Sequence, residues 1–261
     1  MVQSPEYPDL LWMPPKSYTY GRISGQPTKI TVHYTAGREG YGDVDINEAA
    51  WCQIRKDGTS AHYFIDGDSC TQCVRTTDEA HTALEHGNDQ GIHYELCGTA
   101  QSREQWLDPP SRNTIRLAAK QMARDMQKYG IPLVRLIGRQ VRDSAAKGIC
   151  GHADWTTGWP EDGGTHMDPG TYFPWDVLFA DIAAELLTEE DDMDQNSPVT
   201  QALDVVIGGI AGGTITRPLR WWLSAPYAHV IELERETDER FAELNTKLDQ
   251  VIGLLTPKEP V

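Results

Sequence analysis

From Thr28 the chain reads T-K-I-T-V-H-Y-T-A up to Gly37, with β-branched residues alternating with polar ones. A repeat of two suits a strand whose faces meet different surroundings, and a helix cannot use it. A strand is therefore expected here, with His33 near its C-terminal end, a good place to present a ligand. Further strands are expected over 59–66 (T-S-A-H-Y-F-I-D), 70–75 and 91–97 (G-I-H-Y-E-L-C), with Gly58 and Gly67 marking turns. Residues 46–56 read as a helix. Over 112–129, Ile115, Ala118, Ala119, Met122, Met126 and Tyr129 recur at spacings of 3 and 4, which predicts an amphipathic helix stopped by Gly130 and Pro132. A closing helix is expected over 175–187. This order of elements implies an α/β fold, a central mixed β-sheet flanked by α-helices, with a small helical C-terminal tail.

The connecting segments set the organisation. Residues 1–27 are rich in Pro, Ser, Gly and Tyr and read as an extended lead-in without chemistry of its own. His81 to Asn88 reads as a polar loop. The stretch 148–175 is rich in Gly, Pro, Asp and Trp, so it reads as a long loop, and long ordered loops in compact domains tend to carry function. The acidic run Glu189 to Asp194 marks a boundary, giving a main domain over 28–187, an acidic linker over 188–200 and a helical region over 201–261. Residues 202–215 are apolar but contain Asp204 and four glycines, and they are shorter than the roughly 18–20 residues of a membrane helix, so no transmembrane segment is expected.

With 39 acidic against 23 basic side chains and a net charge of −16, the chain is a poor binder of phosphate backbones, and no nucleic-acid partner is expected. Five cysteines, an odd number, exclude an all-paired disulfide framework. Cys70 and Cys73 form C-T-Q-C, but within a strand their side chains point to opposite faces, which argues against a metal half-site or redox pair. Met1 to Leu10 lacks the basic and apolar regions of a secretory signal, so synthesis in the cytoplasm is the expectation.

A hydrolytic zinc site needs three ligands from His, Asp, Glu or Cys and one open position. No H-E-x-x-H occurs, and spacing alone assigns no ligand here. Four blocks in order, however, resemble the type 2 N-acetylmuramoyl-L-alanine amidase and peptidoglycan recognition superfamily. They are I-T-V-H-Y-T-A-G (30–37); S-A-H-Y-F-I-D-G-D (60–68), followed by A-H (80–81); N-D-Q-G-I-H-Y-E-L (88–96); and G-H-A-D-W (151–155) with H-M-D-P-G-T-Y-F-P-W (166–175). The resemblance covers about residues 28–187.

The resemblance implies zinc held by His33, His152 and Asp168, with Glu95 as general base. It implies a substrate groove drawing on His62, His81, Asn88 and Trp155, although His62 suits a hydrogen-bonded core position equally well. The implied reaction is hydrolysis of the amide between N-acetylmuramic acid and L-alanine in bacterial peptidoglycan. Together with the expected lack of a secretory signal, this suits a phage endolysin that reaches the host wall once the membrane is opened. Rival readings are a peptidoglycan-binding module without activity and a zinc peptidase acting on stem-peptide cross-links.

Two departures from the family pattern stand out. His166 occupies the position usually held by Lys and is taken as its catalytic replacement, able to donate to a developing oxyanion. His93 and Tyr94 stand where small Gly and Ile usually precede the glutamate. In the tail, Phe241, Leu244, Leu248, Val251 and Leu255 form a short heptad seam, compatible with wall targeting, homo-oligomerisation or docking on the main domain. Sizing the full chain beside a version ending at Thr188 tests association: a seam that associates makes only the full chain elute as an oligomer.

Overall fold

The computed structural model describes residues 2–190, so the linker from residue 191 and the helical region, with the Phe241 to Leu255 seam, lie outside the described residues. The first compact unit spans Met1–Glu189. Its strands are β1 (Leu11–Trp12), β2 (Lys29–Tyr34), β3 (Tyr63–Ile65), β4 (Cys70–Gln72), β5 (Gly91–Leu96) and β6 (Gly148–Gly151). They form one sheet in the order β1-β4-β3-β5-β2-β6, antiparallel only between β3 and β4. The helices are α1 (Val44–Ile54), α2 (Leu84–Gln90), α3 (Arg103–Trp106), α4 (Pro109–Tyr129), α5 (His152–Gly158) and α6 (Trp175–Glu190). This is the mixed sheet with flanking helices expected from the sequence.

Alternation along the central strands sorts their side chains between two unlike faces. Ile30, Val32, Tyr63, Ile65, Ile92, Tyr94, Leu96 and Ile149 enter the main core with Ile115, Ala118, Ala119, Met122 and Met126 of α4 and with Leu178 and Ile182 of α6. Burial of this apolar surface, at about 25 cal/mol per Å², is the main force holding the layers together. The opposite face carries Thr31 and His33 from β2 and, in register beside them, His93 and Glu95 from β5. On that face Ala49 and Cys52 of α1 pack with Phe64 at the β3 side, and Trp155 of α5 packs with Cys150 at the β6 side. A gap between α1 and α5 is left over the middle strands.

Three expectations change. Residues 1–27 are mostly irregular, as expected, but belong to the main unit: β1 joins the sheet edge beside β4, and Glu6 pairs with Lys128 of α4 at 2.7 Å. The polar segment before β5 forms α2, which has no apolar stripe to betray it. The stretch read as one long loop contains β6 and α5. Glycine-rich β6 has little strand propensity and is a strand because β2 supplies its partner, while Asp154 accepts the Gly151 N–H at 2.7 Å at the start of α5. Pro109 and Pro110 open α4, where missing N–H groups cost nothing because first-turn donors have no helical partner.

All five cysteines are free, and Cys70 and Cys73 fall in separate apolar clusters, in line with the bland reading of C-T-Q-C. Among the described residues no helix is long and apolar enough to cross a membrane.

Beneath the core face, the buried Asp125 carboxylate accepts hydrogen bonds from the hydroxyls of Tyr7, Tyr63 and Tyr94. Burial pushes its carboxyl up to about 6, despite those three donors. Since this lies above the ordinary 3.8, the folded protein holds an extra proton between the two values, and stability falls as pH rises through that window. Tyr94→Phe removes one donor from the carboxylate and is expected to cost about 1.5–3 kcal/mol. Denaturant unfolding should show a larger loss at pH 8 than at pH 5, because only the ionised acceptor makes the stronger bond.

Candidate metal centre

His33 is the last residue but one of β2, His152 opens α5 directly after β6, and Asp168 comes from the loop leading to α6. Parallel pairing of β2 with β6 carries both histidines to the same end of the sheet. The Asp168 loop is held there by its own backbone, whose carbonyl accepts the Ala153 N–H at 3.0 Å. Close approach is possible because residue 151 is glycine: a Cβ there would lie 2.7 Å from Cδ of Pro169 and 3.3 Å from the Asp168 carbonyl oxygen.

The three side chains are buried and offer ligand atoms all within 4.8 Å of one another. Asp168 Oδ2 lies 2.9 Å from His33 Nδ1, and its Oδ1 lies 3.4 Å from His152 Nδ1. Burial pushes His33 down to about 4, against the pull of Asp168, so it is neutral at physiological pH with a lone pair to offer. For Asp168 burial acts upward, but the imidazoles of His152 and His33 beside it outweigh it and hold the carboxyl well below the usual carboxylate range. Two imidazoles and one carboxylate, converging and shielded from water, are a donor set that fits a zinc ion.

A cleft of about 790 Å³ lies over this group. Glu95, paired in register with His33, reaches its floor, and Glu95 Oε2 is enclosed without any hydrogen-bond partner. Burial, then the charges of Asp168 and Glu48, push its carboxyl up to about 8. A buried carboxylate oxygen left unpaired beside a cluster of metal donors is costly unless it has work to do. His166 is 68% exposed, stacks on the His152 ring at 4.6 Å, and places Nδ1 3.6 Å from Asp168 Oδ1. It therefore stands at the rim of the cleft.

Of the groove residues, His81 and Asn88 line the cleft. His81 Nε2 meets Thr19 Oγ1 at 2.9 Å, and Asn88 Oδ1 accepts the N–H groups of Thr82 and Ala83. The other two lie elsewhere. His62 is fully buried, its Nδ1 accepting the His93 N–H, so the core reading of that residue prevails. Trp155 is 3% exposed and donates Nε1–H to Thr31 Oγ1 at 2.9 Å, because helical spacing turns it under His152 toward the sheet. Sequence reasoning missed the outer wall, where Trp51 of α1 and Arg55 just after that helix line the cleft. Their spacing of four along a predicted helix was the available signal. His93 faces the metal centre, and Tyr94 the opposite core.

The profile of the N-acetylmuramoyl-L-alanine amidase family matches residues 24–171. Among solved structures, Staphylococcus aureus hydrolase AmiA in complex with its ligand is similar at 18% identity and TM-score 0.54, over 70% of this chain and 86% of that one. A mutant endolysin from Bacillus subtilis is similar at 18% identity and TM-score 0.47, over 70% of this chain and 99% of that one. No curated protein matches the chain. At such identity the likeness to AmiA is one of fold.

Gly151→Ala forces Pro169, and with it Asp168, away from the histidines. Zinc affinity, measured by competition with a chromogenic chelator, is expected to fall on the order of tenfold. The far-UV spectrum should be unchanged, since the backbone at Gly151 (φ −100°) is open to alanine.

Proposed function

The chain belongs to the N-acetylmuramoyl-L-alanine amidase family, and we propose that it hydrolyses the lactyl–L-alanine amide of peptidoglycan with zinc held by His33, His152 and Asp168. The observation that carries the reading is the unpartnered Glu95 Oε2, buried at the cleft floor beside three converging metal donors. Zinc in such a donor set supplies Lewis acidity to a carbonyl oxygen and to water.

The chain's own residues account for the proton traffic. Glu95, in the ionised form that the charge of a bound zinc would favour, takes a proton from the attacking water at its free carboxylate oxygen and delivers it to the leaving amine, a contribution of about 10²–10⁴ in rate. His166 at the rim donates to the oxygen on which charge develops. The walls formed by α1 and by His81 and Asn88 hold the stem peptide and exclude bulk water. Asp168 weighs against a binding-only role, because a carboxylate held ionised between two imidazoles has no evident use in a passive groove. We extend the reading to host-wall lysis after the membrane has been opened. Lysis of intact cells expressing the protein alone would count against that extension.

Glu95→Gln is expected to retain zinc and lose wall lysis by about 10²–10⁴, whereas Asp168→Ala loses both. Normal lysis by both variants would overturn the mechanism. Mass spectrometry of digested wall should find stem peptides with a free L-alanine amine, and cleaved cross-links instead would establish a peptidase. A stability effect accompanies the loss of activity. The Glu95 carboxyl sits at about 8 when folded against an ordinary 4.5, so ionising it costs stability as pH rises through that window. Metal-free Glu95→Gln should therefore melt higher than wild type at pH 8, with the gain vanishing near pH 4.5.

A further inference from the structure

One buried histidine beside the metal centre has no part in the chemistry above. His93 stands on β5 across from Thr31, on the same face as His33 and fully enclosed. Its Nδ1 lies 3.0 Å from His33 Nε2, and its Nε2 lies 3.1 Å from the Gly87 carbonyl oxygen. A neutral imidazole has one donor and one acceptor. The carbonyl can only accept, so His93 spends its proton on Gly87 and presents Nδ1 as an acceptor. His33 must then donate Nε2–H to it, which leaves the His33 Nδ1 lone pair directed at the Asp168 side, where the ligand atoms converge.

The surroundings hold His93 to this geometry. Its backbone N–H donates to His62 Nδ1 at 3.0 Å, and His62 Nε2 in turn lies 3.1 Å from the Asp78 carbonyl oxygen. Space for the ring exists because residue 91 is glycine: a Cβ there would lie 2.8 Å from His93 Cε1. A residue that merely filled the volume would need neither contact.

We propose that His93 is a positioning residue that selects the Nε2–H tautomer of His33 and so presents His33 Nδ1 to the metal. This rests on the zinc reading above and concerns a residue that touches neither metal nor substrate. Partners of this kind typically alter metal affinity by about 10–100-fold.

The test compares His93→Asn and His93→Leu in the full chain, two side chains of nearly equal shape. Asparagine Oδ1 takes the place of the imidazole Nδ1 as acceptor, and leucine offers none. Zinc dissociation constants from chelator competition are expected within about threefold of wild type for Asn and about 10–100-fold weaker for Leu. Equal affinities for the two variants would overturn the role of His93 while leaving the zinc site intact. Wild-type protein that binds no zinc would overturn the site itself, and this role with it. A second measurement does not depend on the variants folding. In zinc-loaded wild type, long-range ¹H–¹⁵N spectra should show His33 protonated at Nε2 with a slowly exchanging proton, and His93 protonated at its own Nε2. A proton on His93 Nδ1 would overturn the assignment.

Discussion

Asp168 meets both imidazoles through the two oxygens of one carboxylate, and that contact depends on how closely the loop before α6 lies against the start of α5. The ligands come from an inner strand, a helix N-terminus and a loop. None of these positions the others locally. What joins them is the parallel pairing of β2 with β6, together with the hydrogen bond from Ala153 N–H to the Asp168 carbonyl. A backbone contact of this kind holds the carboxylate in place without using its side-chain oxygens, which remain for the imidazoles and a cation.

The sheet shows how a small domain accommodates such a group. One face is given over to apolar packing against α4 and α6, and its buried polar groups are paired, with three tyrosine hydroxyls satisfying Asp125. The other face accepts a poorer arrangement. Its central strands carry His33, His93 and Glu95 in place of core residues, and helices cover it only at its flanks. Asp125 and Glu95 are both buried carboxyls with raised pKa, but the first has three donors and the second has an oxygen with none. The difference separates a carboxyl whose partners serve the fold from one left with a free oxygen at the cleft floor. An unsatisfied group of this sort is stable only where the rest of the domain supplies an excess of packing energy.

Much of the frame was legible in advance. The strands around His33 and Glu95 and the long helix before Gly130 follow from apolar periodicity. The four blocks also named His33, His152 and Asp168, three side chains that the fold brings within 4.8 Å of one another. Misreadings fell where local preference and tertiary context disagree. Glycine-rich 148–151 looks like loop until β2 offers it a partner, α2 lacks an apolar stripe, and the lead-in reads as irregular although β1 pairs at the sheet edge. Trp155 and His62 sit beside motif residues in sequence, yet the helical turn and the strand alternation direct them into the interior.

By itself, the sequence determined that His93 and Glu95, two apart on one strand, would share a face, because alternation is a local property of the backbone. The tertiary structure alone decided that Asp168 would meet His33 across 135 positions of chain, that Glu95 Oε2 would lack a partner, and that His93 would stand between His33 and the Gly87 carbonyl. Those outcomes depend on strand register, on the closeness allowed at Gly91 and Gly151, and on which buried donors find acceptors. Such quantities exist only once distant segments have been packed together.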